Sequence, residues 1–209
     1  MPTLLHLDAS ASQETSVSRA MSAEFVRGWI DLHPEAEIRR HDLAVAEIPP
    51  ITQNWIVAAF TPANLRTDTQ RRLLKLSDEL VEELKVSDVI VLGTSMYNFA
   101  APAALKLWID QIVRLGDTYA YIDGKRQGIL TGKKAYIFIA SGGIYEANSP
   151  TAAMDFLSPY LRTILGYVGI SDVTIHCAGG TQALLKPGAD RLAFIERHLE
   201  HVRALQSRN

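Results

Sequence analysis

The chain has 209 residues, 47% of them hydrophobic and 21% charged, and a formal net charge of -2. Such a composition builds one domain with a sizeable core and gives no electrostatic basis for nucleic acid or an anionic membrane as partner. Its single cysteine, Cys177, excludes an intramolecular disulfide and fits a reducing compartment.

The amino end has no basic region before its short apolar run, and no apolar stretch reaches the roughly 18 residues of a membrane span. A cytoplasmic protein is expected. Residues 3–7 are apolar and predict a first strand. Val17, Met21, Phe25 and Trp29 recur every four residues, with Val26 and Ile30 beside them, which predicts an amphipathic helix. Residues 37–43 read as a polar-rich strand near an edge, and Ile48-Pro49-Pro50 breaks the pattern. Residues 52–85 predict a short helix, an interruption at Pro62, and a long helix carrying Leu73, Leu76, Leu80 and Leu84. Residues 88–92 form a third strand. A helix over 103–115 is apolar on more than one face, which suits burial inside the subunit or against a second one, and Gly116 is placed to stop it. Residues 117–133 read as an irregular insertion containing Gly124, Gly128 and Gly132. Residues 134–140 are strand four, 150–167 helical and 172–177 strand five. A last helix over 187–205 aligns Leu192, Ile195, Leu199 and Val202.

Five strands separated by helices predict an α/β fold with a parallel sheet and right-handed crossovers. The strand count suits a flavodoxin-like three-layer sandwich, its five-stranded parallel sheet in order 2-1-3-4-5. No linker or repeat divides the chain, so residues 1–209 are expected to form a single domain.

Three loops follow the carboxyl ends of strands, where open α/β sheets bind ligands. After strand one, Ser10, Ser16 and Ser18 offer hydroxyls around a helix start, whose unpaired N–H groups and positive dipole end suit a phosphate. Arg19 adds charge or points to solvent. This loop has no glycine or lysine, so it is neither a Walker A loop nor a Gly-x-Gly-x-x-Gly turn. The same serines also serve as plain helix caps. After strand three, Met96, Tyr97 and Phe99 offer a wall and Asn98 a polar edge, with no metal ligand and no evident acid or base. That inventory suits a planar cofactor that carries its own chemistry, although the two aromatics taken singly also fit an ordinary core. After strand four, Gly142 and Gly143 allow close backbone approach to a ligand, or form a plain turn. Their joint occurrence at one sheet edge favours a ligand site. His6 and His176 are too scattered for a metal site, and Cys177, next to His176 in a strand, points to the opposite face and makes no nucleophile pair with it. No Gly-x-Ser-x-Gly elbow points to a hydrolase. Asp8 lacks the acidic neighbours of a phospho-acceptor.

Asp8-Ala9-Ser10, Ser16-Val17-Ser18-Arg19, Met96-Tyr97-Asn98-Phe99 with Pro102, Gly142-Gly143-Ile144, and Leu165-Gly166 with Gly169-Ile170 together resemble the FMN-dependent NADH-azoreductases. These are also described as FMN-dependent NADH:quinone oxidoreductases. The resemblance runs over nearly the whole chain. It implies a flavodoxin-like homodimer with one FMN per subunit near the interface. NADH would be the donor and a quinone or azo compound the acceptor, in ping-pong order. It implies phosphate contacts at Ser10 and around Ser16, Val17 and Ser18. It sets the isoalloxazine ring against Met96, Tyr97, Asn98 and Phe99 and against the turn Ala140, Ser141, Gly142 and Gly143. FMN would carry the redox chemistry, so no catalytic acid or base and no metal is expected. Two departures stand out: such proteins often carry Pro where this chain has Ser95, and Ser-Arg-Gly-Gly where it has Ala140-Ser141-Gly142-Gly143. Tyr119 and Tyr121 are candidates for a substrate-side wall or for surface aromatics. The alternative function is an electron carrier or flavin-sensing protein without turnover. A carrier tends to present a docking surface of one charge sign, and the near-neutral balance gives no sign of one.

Overall fold

The computed structural model describes residues 1–206; the last three positions of the expected 1–209 domain lie outside the described residues. Side-chain alternation along three strands decides the architecture. In β1 (Thr3–Asp8), β3 (Val89–Ser95) and β6 (Lys134–Ala140), Leu5, Leu7, Ile90, Leu92, Ile137 and Ile139 face one core. Leu4, Val89, Val91, Tyr136 and Phe138 face a second core on the other side. Strands apolar on both faces must lie between two layers. These three are the centre of a five-stranded parallel sheet in order β2-β1-β3-β6-β7, with β2 (Glu37–Asp42) and β7 (Asp172–Ala178) at the edges. This is the expected 2-1-3-4-5 order once an added hairpin is set aside. Helices α1 (Val17–Leu32) and α6 (Arg191–Gln206) cover one face. Helices α3 (Asp68–Val86), α4 (Ala103–Ile112) and α5 (Leu157–Val168) cover the other, and α2 (Gln53–Phe60) packs on α3.

Several sequence expectations are corrected. The α3 stripe runs through Leu74, Ser77, Leu80, Val81 and Leu84, and Leu73 is exposed. A serine holds one stripe position because its hydroxyl donates to the Gln111 carbonyl at 2.6 Å. The supposedly irregular insertion contains a hairpin, β4 (Tyr119–Ile122) and β5 (Lys125–Gly128). Asp123 and Gly124 join its strands with φ of 51° and 73°, the left-handed pair of a two-residue turn. The helix expected from 150 begins at Leu157, where the Asp155 carboxylate accepts from the N–H groups of Leu157 and Ser158. A short 3-10 turn, Ala152–Met154, precedes it. The last helix starts at Arg191, capped by Asp190, and Leu192 points to solvent while Val202 is fully buried. Leu105, Trp108, Ile109 and Ile112 of α4 are buried within the subunit, so its broad apolar surface needs no second chain. Among the described residues no helix is long and apolar enough to cross a membrane.

Candidate functional site

Parallel strands bring the loops after β1, β3, β6 and β7 to one edge of the sheet. The approach of α1 to β3 sets their spacing. A Cβ on Gly93 would lie 2.5 Å from Asp8 Oδ1 and 2.6 Å from Ser22 Oγ, so the helix rests directly on the strand. Asp8 is used inside this packing: its carboxylate accepts from Ser22 Oγ at 2.9 Å and lies 3.3 Å from His6.

Ser16 caps α1 in extended backbone, its Oγ accepting from the Arg19 N–H at 3.3 Å and lying 3.1 Å from Ser18 Oγ. Ser10 and Ser18 are completely buried, and Ser16 and Val17 nearly so. Arg19 braces this loop. Its Nη2 donates to the Ser10 carbonyl at 2.8 Å and to Asp42 Oδ1 at 2.6 Å. The Asp42 hydrogen bond holds the guanidinium above its ordinary pKa, and Arg19 in turn holds the Asp42 carboxyl below its own. Arg19 is therefore engaged by protein groups, neither free in solvent nor turned wholly to a ligand.

Beyond β3, the Met96 N–H donates to the Ala140 carbonyl at 2.8 Å. Tyr97 and Ala100 exchange backbone hydrogen bonds of 3.1 and 3.0 Å. Between them Asn98 and Phe99 have φ of 47° and 69°, a type I′ turn with no glycine at either central position. Left-handed backbone at such residues costs on the order of 1–3 kcal/mol each. The strain lifts the aromatics out of the core: Tyr97 is 40% and Phe99 38% exposed.

The Tyr97 phenol oxygen reaches back to the serine loop. The Ala11 N–H donates to it at 3.2 Å, and Ser10, Ser95 and the Ser12 N–H also engage it. Ser95 Oγ also lies 3.0 Å from Ser10 Oγ, so its one proton serves either oxygen. Burial pushes the phenol pKa up, but this convergence of donors outweighs it and holds the group below its ordinary value. Donors gathered on one oxygen beside a helix start form an anion-seeking arrangement.

The loop after β6 is stitched to the loop after β7. The N–H groups of Gly180 and Gln182 donate to the carbonyls of Gly143 and Gly142 at 3.0 and 3.3 Å. Ser141 is buried, and its hydroxyl donates to the Gly143 carbonyl at 2.9 Å. A Cβ on Gly143 would lie 2.6 Å from the Tyr145 hydroxyl, and Tyr145 sits edge-on to Phe99 with centroids 6.1 Å apart.

These loops enclose a cavity of about 310 Å³. Of the residues singled out in the sequence, Ser10, Ser16, Val17, Met96, Tyr97, Ala140 and Gly142 line it. Ser18 stands behind Ser16, and Asn98 and Phe99 lie outside the lining, on the exposed turn. Ser141 and Gly143 face neighbouring hollows on the far side of the stitched loops. The sequence reading missed the opposite wall: Thr181, Leu184, Leu185 and Arg191. Its signal was Gly179-Gly180 after the fifth parallel strand, a fourth loop at the same edge. Tyr119 and Tyr121 are not in this notch within the subunit. Their hairpin follows α4 back to the amino ends of the strands, where Tyr119 packs on Tyr167 at 5.0 Å. His176 pairs with His198 at 3.0 Å, and among the described residues no group of three or more His, Cys, Asp or Glu is placed to hold a metal.

A family model described as a flavodoxin-like fold matches residues 2–205. An FMN-dependent NADH:quinone oxidoreductase of Acidobacterium capsulatum is 50% identical over 203 residues, 97% of this chain and 98% of its own. One of Herminiimonas arsenicoxydans is 45% identical over 175 residues, 84% and 85% of the two chains. Among solved structures, an azoreductase from Bacillus anthracis str. Sterne superposes with a TM-score of 0.87 at 22% identity, covering 100% of both chains. An FMN-dependent NADH-azoreductase from Bacillus anthracis str. Ames Ancestor, in complex with FMN, gives 0.86 at 24% identity over 100% of this chain and 99% of its own. The two structures establish the shared fold.

Proposed function

We propose that this chain, which belongs to the family with the flavodoxin-like fold and within it to the FMN-dependent NADH:quinone oxidoreductases, works through one flavin held in the notch. It is an enzyme that oxidises NADH and reduces quinones, with FMN as cofactor, and it reduces azo compounds as well. The carrying observation is one cavity with buried hydroxyls at one end and a strained, exposed aromatic turn at the other.

FMN, when bound, supplies the two-electron redox chemistry between NADH and the acceptor. Ser10 and Ser16 would hold its phosphate with their hydroxyls, joined by the N–H groups of Val17 and Ser18 at the start of α1, while the Ser18 hydroxyl orients Ser16 from behind. Met96 and Tyr97 wall the ring, and Phe99 on the exposed turn beside them covers its rim. The backbone of Ala140 and Gly142 supplies its polar edge, where fixed dipoles favour added negative charge, with Asn98 at the rim and Ser141 and Gly143 shaping the turn from behind. No side chain is assigned as a proton donor or acceptor. NADH and the acceptor use the open side in turn, so double-reciprocal plots at several acceptor concentrations run parallel.

The whole chain acts as a single FMN-binding domain in the cytoplasm, paired as a homodimer. In support, Ile56, Val57 and Phe60 on α2 are exposed, and so are Leu65 and Leu73 nearby, a large apolar surface to leave in water. The test is colour. Purified protein is yellow, loses its blue-light absorbance on anaerobic NADH addition, and recovers it with benzoquinone. A yellow protein that NADH leaves unbleached contradicts the enzyme, and a colourless one that takes up no FMN contradicts the cofactor.

A further inference from the structure

Resting on the cofactor reading above, we infer that Arg191 is the cation that pairs with the phosphate of the bound flavin nucleotide, which makes the first turn of α6 part of the cofactor site. Arg191 lines the notch on the wall opposite Ser10 and Ser16. Its backbone is fixed, because Asp190 caps the helix by accepting from the Ala193 N–H at 2.9 Å. Arg191 is partly buried as a residue, yet no carboxylate pairs with it among the described residues. Arg19, beside the same serine loop, is engaged with Asp42. A partly buried arginine without an anion, lining a cavity rimmed by hydroxyls, is one half of an ion pair.

The opposite wall explains what Arg191 adds. Serine hydroxyls and N–H groups orient an anion, but they carry no full charge. The turn after β6 reads Ala140-Ser141-Gly142-Gly143, so it supplies no cation either. Arg191 is placed to donate a charge-assisted, two-pronged hydrogen bond to phosphate oxygens. It would thereby select the phosphorylated cofactor over riboflavin, which has the same ring.

The test strips the full-length protein of flavin and titrates it with FMN and with riboflavin, following flavin fluorescence at low and moderate salt. Arg191→Gln is expected to weaken FMN binding by about ten- to a hundredfold. Riboflavin binding stays unchanged, and added salt then weakens FMN less than in the parent. Arg191→Lys restores part of the loss. An equal loss for both flavins overturns the inference, since the residue would then only shape the wall; an unchanged FMN affinity overturns it too. If the parent itself binds FMN no better than riboflavin, the phosphate reading of the whole notch falls first, and this inference with it.

Discussion

Tyr97 joins two parts of the notch with one side chain: its ring stands at the exposed turn while its oxygen sits among the serine-loop donors. Ser95 belongs to that donor set and also orients Ser10. Ser95→Ala should therefore move the Tyr97 phenol back toward the ordinary tyrosine range. Ultraviolet titration of tyrosinate, with Tyr97→Phe as the blank, reads that upward shift directly; an unmoved titration would deny Ser95 its role. The serines themselves were legible, because polar hydroxyls crowded between a strand and a helix have few other uses. Their meeting with Tyr97 was not, since 86 positions separate Ala11 from Tyr97 and only the fold brings them together. Arg114 was equally hidden. Sequence reading places arginine in solvent, yet this one is 1% exposed, donating to Ser77 and facing Asp78 at 3.1 Å and Asp117 at 3.3 Å.

The 97–100 turn trades stability for display. Phe99→Gly would create the Asn-Gly pair that type I′ turns favour, relieving about 1 kcal/mol of backbone strain. Flavin-free protein should then melt at an equal or higher temperature, while the same variant releases flavin faster in dialysis. The interface of β7 and α6 predicts a pH effect. Burial, then the nearby His201 and His198, lowers the His176 pKa from 6.5 to about 4. His176 thus stays neutral in the folded state, whereas the unfolded chain takes a proton below about 6.5. Stability should fall as pH drops from 6.5 toward 4. Melting curves across that window should show the slope, and His176→Gln should flatten it. Among the elements, β1, β3 and β6 were easy to read because both faces are apolar. The hairpin was not, since Lys125, Arg126 and Gln127 give no alternation and only Asp123-Gly124 marked the turn. The α3 stripe slipped by one residue because buried Ser77 takes a place that an apolar count assigns to a neighbour.

At the scale of the whole molecule, parallel topology gathers four loops, three of them recognised beforehand, at one sheet edge. Strand order was readable from the alternation of strands and helices. The fourth wall was not, because the loop after β7 carries no serine or aromatic cluster to single it out. The exposed α2 face predicts association: sedimentation should give twice the subunit mass, and Phe60→Glu should shift the protein toward monomer. A parent that sediments as a monomer would remove the homodimer from the account. The most direct test of the central claim is a crystal structure with FMN at saturating concentration. The ring should lie beside Met96 and Tyr97, with the phosphate within hydrogen-bond reach of Ser10 and Ser16. FMN bound at any other face, with this notch left empty, would show the flavin site to lie elsewhere.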